Sequence, residues 1–520
     1  MLGKLDAAEL KTEIIDKRNQ EKLRAYAVIP IPKDKPEELL RRHEFIQQFL
    51  KESRQFGAQR RESEKKACQT ALENLAITSG FQDVNRMTWY LENEKMEEIR
   101  PLMEPVEMGG VSIYLDITAD GTAQLAIRKA GKVQKTLPAA LKKDANVLLI
   151  KEKVKELKDQ RSRARKSLET AMVERTAFGV QELKNIATNP VISPMLFSLV
   201  WTDGKQNGFL ELTGESENDG RQEKKGVDSV RQEVKLVLKN LRGQSRTLKQ
   251  EETLCIAHPY DLKNAGEWAD YMHVLYEQKL VQPFKQVFRE FYPITEDEIQ
   301  ERTISRRYAG YQVQPQRTVA LLKGRGWTVD YEEGLQRVCY QENLIVRMYA
   351  LADWFSPADI EAPTLETIEF YDRSTGKNVE LEKVPPILFS EIMRDIDLVV
   401  SVAHVGGVDP EASHSTVEMR TAIAKELVQL LKLTQVEFIG SHAKIQGKMA
   451  SYSVHMGSGV VHAEGKGMLA ILPVHSQARG RIFLPFADDD PKTAEIMSKI
   501  ILLAEDTKIK DPTILRQLSS

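Results

Sequence analysis

The spacing of apolar residues changes period along this chain, and that change most limits the folds open to it. Up to about residue 104 the spacing is helical. Residues 4–27 read as a polar helix ended by Pro30 and Pro32, and a second pattern follows Pro36 to about residue 76, with Leu39, Leu40, Phe45, Phe49 and Leu50 on one face. A third helix covers 84–99 and stops at Pro101. The period then drops to two: Val111-Ser-Ile-Tyr-Leu-Asp-Ile alternates, and Gln124-Leu-Ala-Ile-Arg alternates again after Asp120-Gly121, a hairpin signal. Pro138 opens a long charged helical stretch over 139–186, whose basic middle at 158–166 reads as a solvated face.

Beyond residue 190 the two periods mix. Residues 195–201 form an apolar run, helix or buried strand, and 214–226 a polar, glycine-containing loop, the most flexible point expected in the chain. A strand is expected at 253–257 and a helix at 268–275. Another helix is expected from Pro283, with Phe284, Val287, Phe288 and Phe291 on its core face and Arg289 free to enter a cleft. Alternation returns over 335–351, 364–371 and 379–384. A helix then starts at Pro386, and 398–403 reads as a buried strand. Strands follow at 436–439, 443–446, 450–456, 460–464 and 468–474, then a helix over 491–504 with Asp490 as its cap and a docked tail. Asp488, Asp489 and Asp490 form a run that could alternatively hold a hard cation such as magnesium. The pattern as a whole is α+β: a helical N-terminal part with a small β-unit, and a C-terminal mixed domain with a mainly antiparallel sheet. The domains expected are 1–104, 105–330 and 331–520, in line with a length of 520 residues, too long for one ordinary core.

Composition removes several classes. The net charge of −2 gives no overall pull toward nucleic acid or membrane. Cys68, Cys255 and Cys339 are far apart and form neither a disulfide framework nor a zinc knuckle, which fits a reducing cytosol. No apolar run can span a bilayer, and the charged start lacks an export signal, so a cytoplasmic protein without a membrane partner is expected.

Residues 397–465 hold five of the nine histidines: His404, His414, His442, His455 and His462. After the expected strand comes His404-Val-Gly-Gly-Val-Asp-Pro-Glu-Ala-Ser-His-Ser-Thr-Val-Glu-Met-Arg420. Gly406 and Gly407 permit tight backbone, and Ser415 with Glu418 has capping-box spacing ahead of a helix. A glycine loop opening onto a helix N-terminus suits an anion, and Arg420 and His442 would add charge, although neither the GxxxxGKS nor the GxGxxG fingerprint is present. His404, Asp409 and His414 could ligate a divalent metal, yet their spacing matches no standard motif; loop histidines and capping acids without any site are the competing reading. On the strand at 450–456, Ser453 and His455 share the polar face, which would suit a nucleophile and its base, but GxSxG is missing. Gly457-Ser458-Gly459 reads as a hairpin turn or an anion-binding nest.

A second candidate surface is the run 302–327, with six basic residues and no acid: Arg302, Arg306, Arg307, Arg317, Lys323 and Arg325. Tyr308, Tyr311 and Trp327 are interleaved, as in a surface that tracks a phosphate backbone and stacks bases. The competing reading pairs these arginines with acids from elsewhere, such as those at 296–301.

Four motifs carry a resemblance. They are Gln282-Pro-Phe-Lys-Gln-Val-Phe-Arg-Glu-Phe-Tyr, Ala403-His-Val-Gly-Gly-Val-Asp-Pro-Glu-Ala-Ser, Tyr452-Ser-Val-His-Met-Gly-Ser-Gly and Leu484-Pro-Phe-Ala-Asp-Asp-Asp-Pro-Lys-Thr-Ala-Glu-Ile. Together they resemble the MolR-like bacterial proteins that carry the domain of unknown function DUF 4132 and its associated C-terminal domain, over most of 135–515. Neither the helical-repeat array nor the Trp-Gly-Arg module of longer members is seen, so the chain looks like the C-terminal part of that architecture or a short member. The resemblance implies no reaction, no cofactor and no catalytic residues. Three functions stay open: a cytosolic binding or regulatory protein taking an anionic ligand, nucleotide or nucleic acid included; a hydrolase, with or without a metal, acting on a phosphoester or related bond; and an interaction scaffold without a small-molecule site. Convergence of His404, His414, Arg420, His442 and His455 within one cleft is the observation that favours a site.

Overall fold

The computed structural model describes residues 7–32, 34–134, 136–213, 235–330, 334–351, 354, 362–405, 411–471, 482–488 and 490–519. The loop at 214–226 lies outside the described residues. The chain forms two units, one of Met1–Ser167 with Gln181–Pro194, the other of Leu168–Val180 with Met195–Ser520. The architecture is α+β, and the strands within each sheet pair antiparallel. Among the described residues no helix is long and apolar enough to cross a membrane. All three cysteines are free thiols.

The first unit opens with α1 (Ala7–Lys17), α2 (Gln20–Val28), α3 (Glu37–Glu52), α4 (Ala58–Thr78) and α5 (Val84–Ile99). The single helix expected over 4–27 is two. Arg18 takes φ 48, outside the helical region, and the Asn19 side chain accepts the Lys22 amide to restart the helix as α2. Arg18 also reaches Glu64 at 2.8 Å, so the break supplies the cation for a fully buried carboxylate. Strands β1 (Val106–Met108), β2 (Val111–Ile117), β3 (Ala123–Lys129) and β4 (Lys132–Val133) form a four-stranded sheet. Its central hairpin follows from sequence. The Gly121 amide bonds the Thr118 carbonyl at 2.8 Å and Gly121 sits at φ +82, a turn closed by a left-handed residue. A side chain there would also strike the Val191 carbonyl. The helix expected over 139–186 is α6 (Ala145–Val173), then the short β5 (Phe178–Gly179), then α7 (Val180–Ala187); Arg175, at φ 55, follows the end of α6.

In the second unit, α8 (Ser193–Ser198) leads into β6 (Val200–Thr202), β7 (Asn207–Thr213), β8 (Lys235–Lys239), β9 (Ser245–Thr247) and β10 (Thr253–Ile256), which with β5 make a six-stranded sheet. Helices α9 (Pro259–Asn264), α10 (Trp268–Glu277) and α11 (Glu296–Glu301) follow. A second sheet holds β11 (Ile304–Ser305), β12 (Trp327–Asp330), β13 (Gly334–Cys339), β14 (Leu344–Leu351) and β15 (Thr364–Asp372), with α12 (Pro315–Lys323) and α13 (Pro386–Ala403) contributing to the same core. The strand expected at 379–384 is instead a 3-10 turn at Leu381–Lys383. The strand expected at 398–403 is the last part of α13: a six-residue apolar run fits either element, and here it continues a helix with Val399, Val400 and Ala403 buried.

The C-terminal part follows α14 (His414–Leu430). Strands β16 (Val436–Ile439), β17 (His442–Gln446), β18 (Ser451–His455), β19 (Val461–Ala463) and β20 (Gly467–Leu469) form a five-stranded meander, with α15 (Pro491–Ala504) and α16 (Pro512–Ser519) after it. Ala443, Ile445, Tyr452 and Val454 face the same core as Ile423 and Leu427 of α14 and Ile496 and Ile500 of α15. The outer face carries His442, Lys444, Ser453, His455 and His462, with Ile439 and Met468 exposed among them. Asp506 clasps the hairpin between β17 and β18: it accepts the amides of Lys448 and Met449 and the Tyr452 hydroxyl. A Cβ on Gly447 would stand 2.3 Å from the Asp506 carboxylate.

His43 in α3 yields a pH prediction. It is 8 % exposed, neither ring nitrogen has a hydrogen-bond partner among the described residues, and burial together with the Lys95 charge lowers its pKa to about 4. The unfolded chain protonates first, so stability is complete above the ordinary histidine pKa and is lost as pH falls from there to about 4. The loss amounts to about 3 kcal/mol. Thermal melts across that range on the parent and His43→Leu should show a slope that the variant lacks; equal slopes would refute it.

Candidate functional site

The centre of the second unit is an irregular segment, not the helix expected from Pro283. Gln282 and Gln286 explain why, because their side chains and backbone take over the pairing a helix would have made. Gln286 donates to the carbonyls of Val200 and Ala257, both at 2.7 Å, and accepts the Val200 amide at 2.9 Å. Gln282 accepts the Val287 amide at 3.0 Å, and its backbone exchanges bonds with Pro485 and Ala487, both at 2.9 Å. Phe284, Val287 and Phe288 are core residues as expected.

Arg289 enters no cleft. It is 2 % exposed and forks onto Glu391 with two 2.6 Å bonds, while its remaining nitrogen donates to Glu169 at 2.8 Å. Burial would raise the Glu391 pKa, but the Arg289 charge and hydrogen bonds, with one from His258, hold it well below the usual range. His258 Nδ1 accepts the Tyr260 amide, so Nε2 carries the proton and donates to Glu391 at 3.1 Å. Nearby, Lys285 joins Asp490 at 2.5 Å and Glu290 at 3.1 Å, and its amide donates to Asp488 at 2.8 Å. Asp490 also caps α15 through the Thr493 amide at 2.9 Å. Capping and ion pairing therefore engage Asp490, and a backbone amide engages Asp488; Asp489 lies outside the described residues.

The histidine-rich stretch is partly convergent. The loop expected between a strand and a helix joins two helices. Gly406, Gly407 and Asp409 lie outside the described residues. His404 bridges to Val313 at the rim of the second sheet. His414 is exposed as the first residue of α14, whose cap is Ser413, accepting the Thr416 amide at 3.2 Å. The expected Ser415–Glu418 box does not form: Ser415 is buried, and Glu418 takes both its bonds from Lys263 at 2.8 Å. Arg420 donates to the Gly457 carbonyl at 2.6 Å and to Thr493 at 3.3 Å, and Lys499 donates to the Gly459 carbonyl at 2.9 Å. The 455–459 turn is thus gripped by two cations. It meets the segment before α14, since a Cβ on Gly457 would lie 3.1 Å from that of Ala412.

At this junction His442 and His455 stand cross-strand with ring centroids 4.9 Å apart. His455 Nδ1 lies 3.0 Å from Ser458 Oγ and accepts the Ser458 amide at 3.1 Å, so the hydroxyl beside that ring is Ser458 rather than the expected Ser453. Partial burial, then the nearby His455, Lys444 and His462, lower the His442 pKa. Among the described residues no group of three or more His, Cys, Asp and Glu could hold a metal.

The basic run is largely partnered. Arg302 pairs with Glu380, Arg306 with Glu301 at 3.6 Å, Arg307 with Glu298 at 2.5 Å and Arg325 with Asp395 at 3.0 Å. Tyr308 and Trp327 are buried, hydrogen-bonding Asp397 at 3.4 Å and Asp395 at 2.9 Å. Arg317 and Lys323 lie on α12, with Arg317 exposed. The pairing reading fits Arg302, Arg306, Arg307 and Arg325.

One cluster went unread in the sequence. Asp397 accepts the Tyr292 hydroxyl at 2.8 Å and lies 3.4 Å from the hydroxyls of Ser413 and Thr416. Burial raises its pKa despite the hydrogen bond from Tyr292. The available signal was charge on an apolar helix: Glu391, Arg394, Asp395 and Asp397 interrupt an otherwise hydrophobic α13.

These features define an α+β chain built around a buried ion-pair network, with a histidine-bearing sheet at its C-terminal end. Residues 131–327 match a domain of unknown function (DUF4132), residues 1–91 a family of unknown function (DUF5724), and residues 417–518 a domain of unknown function (DUF7737). No curated protein and no solved structure matches the chain.

The Arg289–Glu391 fork predicts a double-mutant result. Arg289→Ala leaves a buried carboxylate without its cation and should cost about 3–5 kcal/mol. Arg289→Met combined with Glu391→Leu should recover most of that in urea unfolding. A double variant as unstable as the single would refute the assignment.

Proposed function

We propose that this chain is a binding or regulatory protein whose C-terminal region takes a small anionic ligand, phosphate- or carboxylate-bearing and nucleotides included. The ligand would sit where residues 411–414 meet the 455–459 turn. The approach of Ala412 to Gly457 carries this reading, because it sets the start of α14, where His414 is exposed, beside the turn that holds Ser458 and His455. The free amides and positive end of a helix favour an anion, and neighbouring imidazoles add charge when protonated. Arg420 then supports the turn rather than the ligand. The motifs at 282–292 and 484–496 further lead us to place the chain with MolR-like bacterial cytoplasmic proteins.

Thermal shift against phosphate, mono- and dinucleotides, DNA and RNA tests this. A ligand at a hundred times its Kd should stabilise the fold by about 2.7 kcal/mol. His414→Ala and Ser458→Ala should each reduce that shift, and a flat response across the panel counts against the proposal.

The second reading, a hydrolase, draws on the 3.0 Å contact between His455 Nδ1 and Ser458 Oγ. The Ser458 amide donates to that same nitrogen, so the contact also serves as a turn clasp. Covalent labelling of Ser458 by a fluorophosphonate, absent in Ser458→Ala, would favour hydrolysis; no labelling would leave the clasp.

A further inference from the structure

The outer face of the C-terminal sheet pairs His455 with His442, and the anion reading uses only the first of these two rings. The Met456 amide bonds the Ser441 carbonyl at 2.8 Å, which makes His442 and His455 the non-hydrogen-bonded kind of pair, where side chains stand closest. Their ring centroids are 4.9 Å apart. Two imidazoles on one ion have ring centres ~3.2 Å from it, hence ~4.5–5.2 Å from each other at angles near tetrahedral or square. Each Nδ1 faces a serine hydroxyl, Ser441 at 3.2 Å from His442 and Ser458 at 3.0 Å from His455. Ligating histidines donate their second ring N–H to an acceptor, a part that each serine hydroxyl can take; at His455 the Ser458 amide now occupies that nitrogen, so ligation there requires the ring to change tautomer.

We propose that His442 and His455 form a two-imidazole site, through their Nε2 atoms, for a late first-row divalent cation. His462 stands on the same face, opposite Ser453 on the next strand. With two protein ligands and water completing the shell, the site is open and exchangeable, and Cu2+ should bind ahead of Ni2+ and Zn2+. In the metal-free ring of His455 the Ser458 amide donates to Nδ1, so the proton rests on Nε2. On binding, that proton leaves Nε2 and Nδ1 takes one up, so the Ser458 amide gives up its bond to Nδ1 and the Ser458 hydroxyl turns to accept the new N–H; a neutral ring therefore releases no net proton, and an imidazolium releases one. This inference does not rest on the anion reading.

The test titrates Cu2+ alone into the untagged, chelator-stripped full chain against a chromophoric competitor. The parent should bind one histidine-dependent Cu2+. His442→Ala and His455→Ala should each weaken it at least tenfold, the double variant should lose it, and His414→Ala should leave it unchanged. The electron paramagnetic resonance spectrum of the Cu2+ form should show two imidazole nitrogens, and unchanged melting temperatures would show that the variants fold. A parent that binds no Cu2+, or a double variant that binds like the parent, overturns the proposal. An anion shift lost in His414→Ala while Cu2+ binding persists separates the two sites.

Discussion

The second unit depends on a carboxylate that cannot stay buried alone. Glu391 lies inside an apolar helix, and its charge is sustained only because Arg289 grips both of its oxygens while His258 adds a third bond. Arg289 reaches Glu169 as well, so four positions spread over more than two hundred residues of chain must arrive together. Such a network adds little net stability over a hydrophobic equivalent, but an incomplete one is costly, and that asymmetry favours one packing over its neighbours. The irregular segment at 282–292 is what makes the meeting possible, since a helix there could not also pair with Pro485 and Ala487.

From that centre the order passes outward to the histidines. Lys285 fixes Asp490 and with it the start of α15; Thr493 of that helix accepts from Arg420 of α14, and Arg420 and Lys499 hold the 455–459 turn. Ser458 holds the His455 ring directly through Nδ1, and the groups that grip the turn hold Ser458 in place behind it. This is the kind of indirect support a binding site requires.

How much of this was legible follows from the range of each signal. The strands of the last sheet and the Gly121 hairpin are local patterns, and alternation placed Ser451, Ser453 and His455 on one face. The partner of His455 was not legible, because strand register depends on which strands meet. Residues 398–403 were misread since a short apolar run has no period to count. Residues 282–292 were misread because two glutamines replace backbone pairing, which no helical periodicity reveals. Arg306 and Arg307 take partners from the neighbouring acids at 296–301, as the sequence allowed, whereas the partners of Arg302 and Arg325, Glu380 and Asp395, lie far along the chain; Ser413, two residues before Ser415, was the better-placed cap.

The Asp506 clasp bears on the order in which the molecule is completed. The carboxylate that closes the bend between β17 and β18 arrives about sixty residues after the bend itself. Synthesis therefore delivers both arms of that hairpin before the group that locks them, and closing so long a loop is slow compared with local pairing. The last sheet should stay loose on the ribosome until the segment past α15 has emerged, which makes it the late-maturing part of the protein.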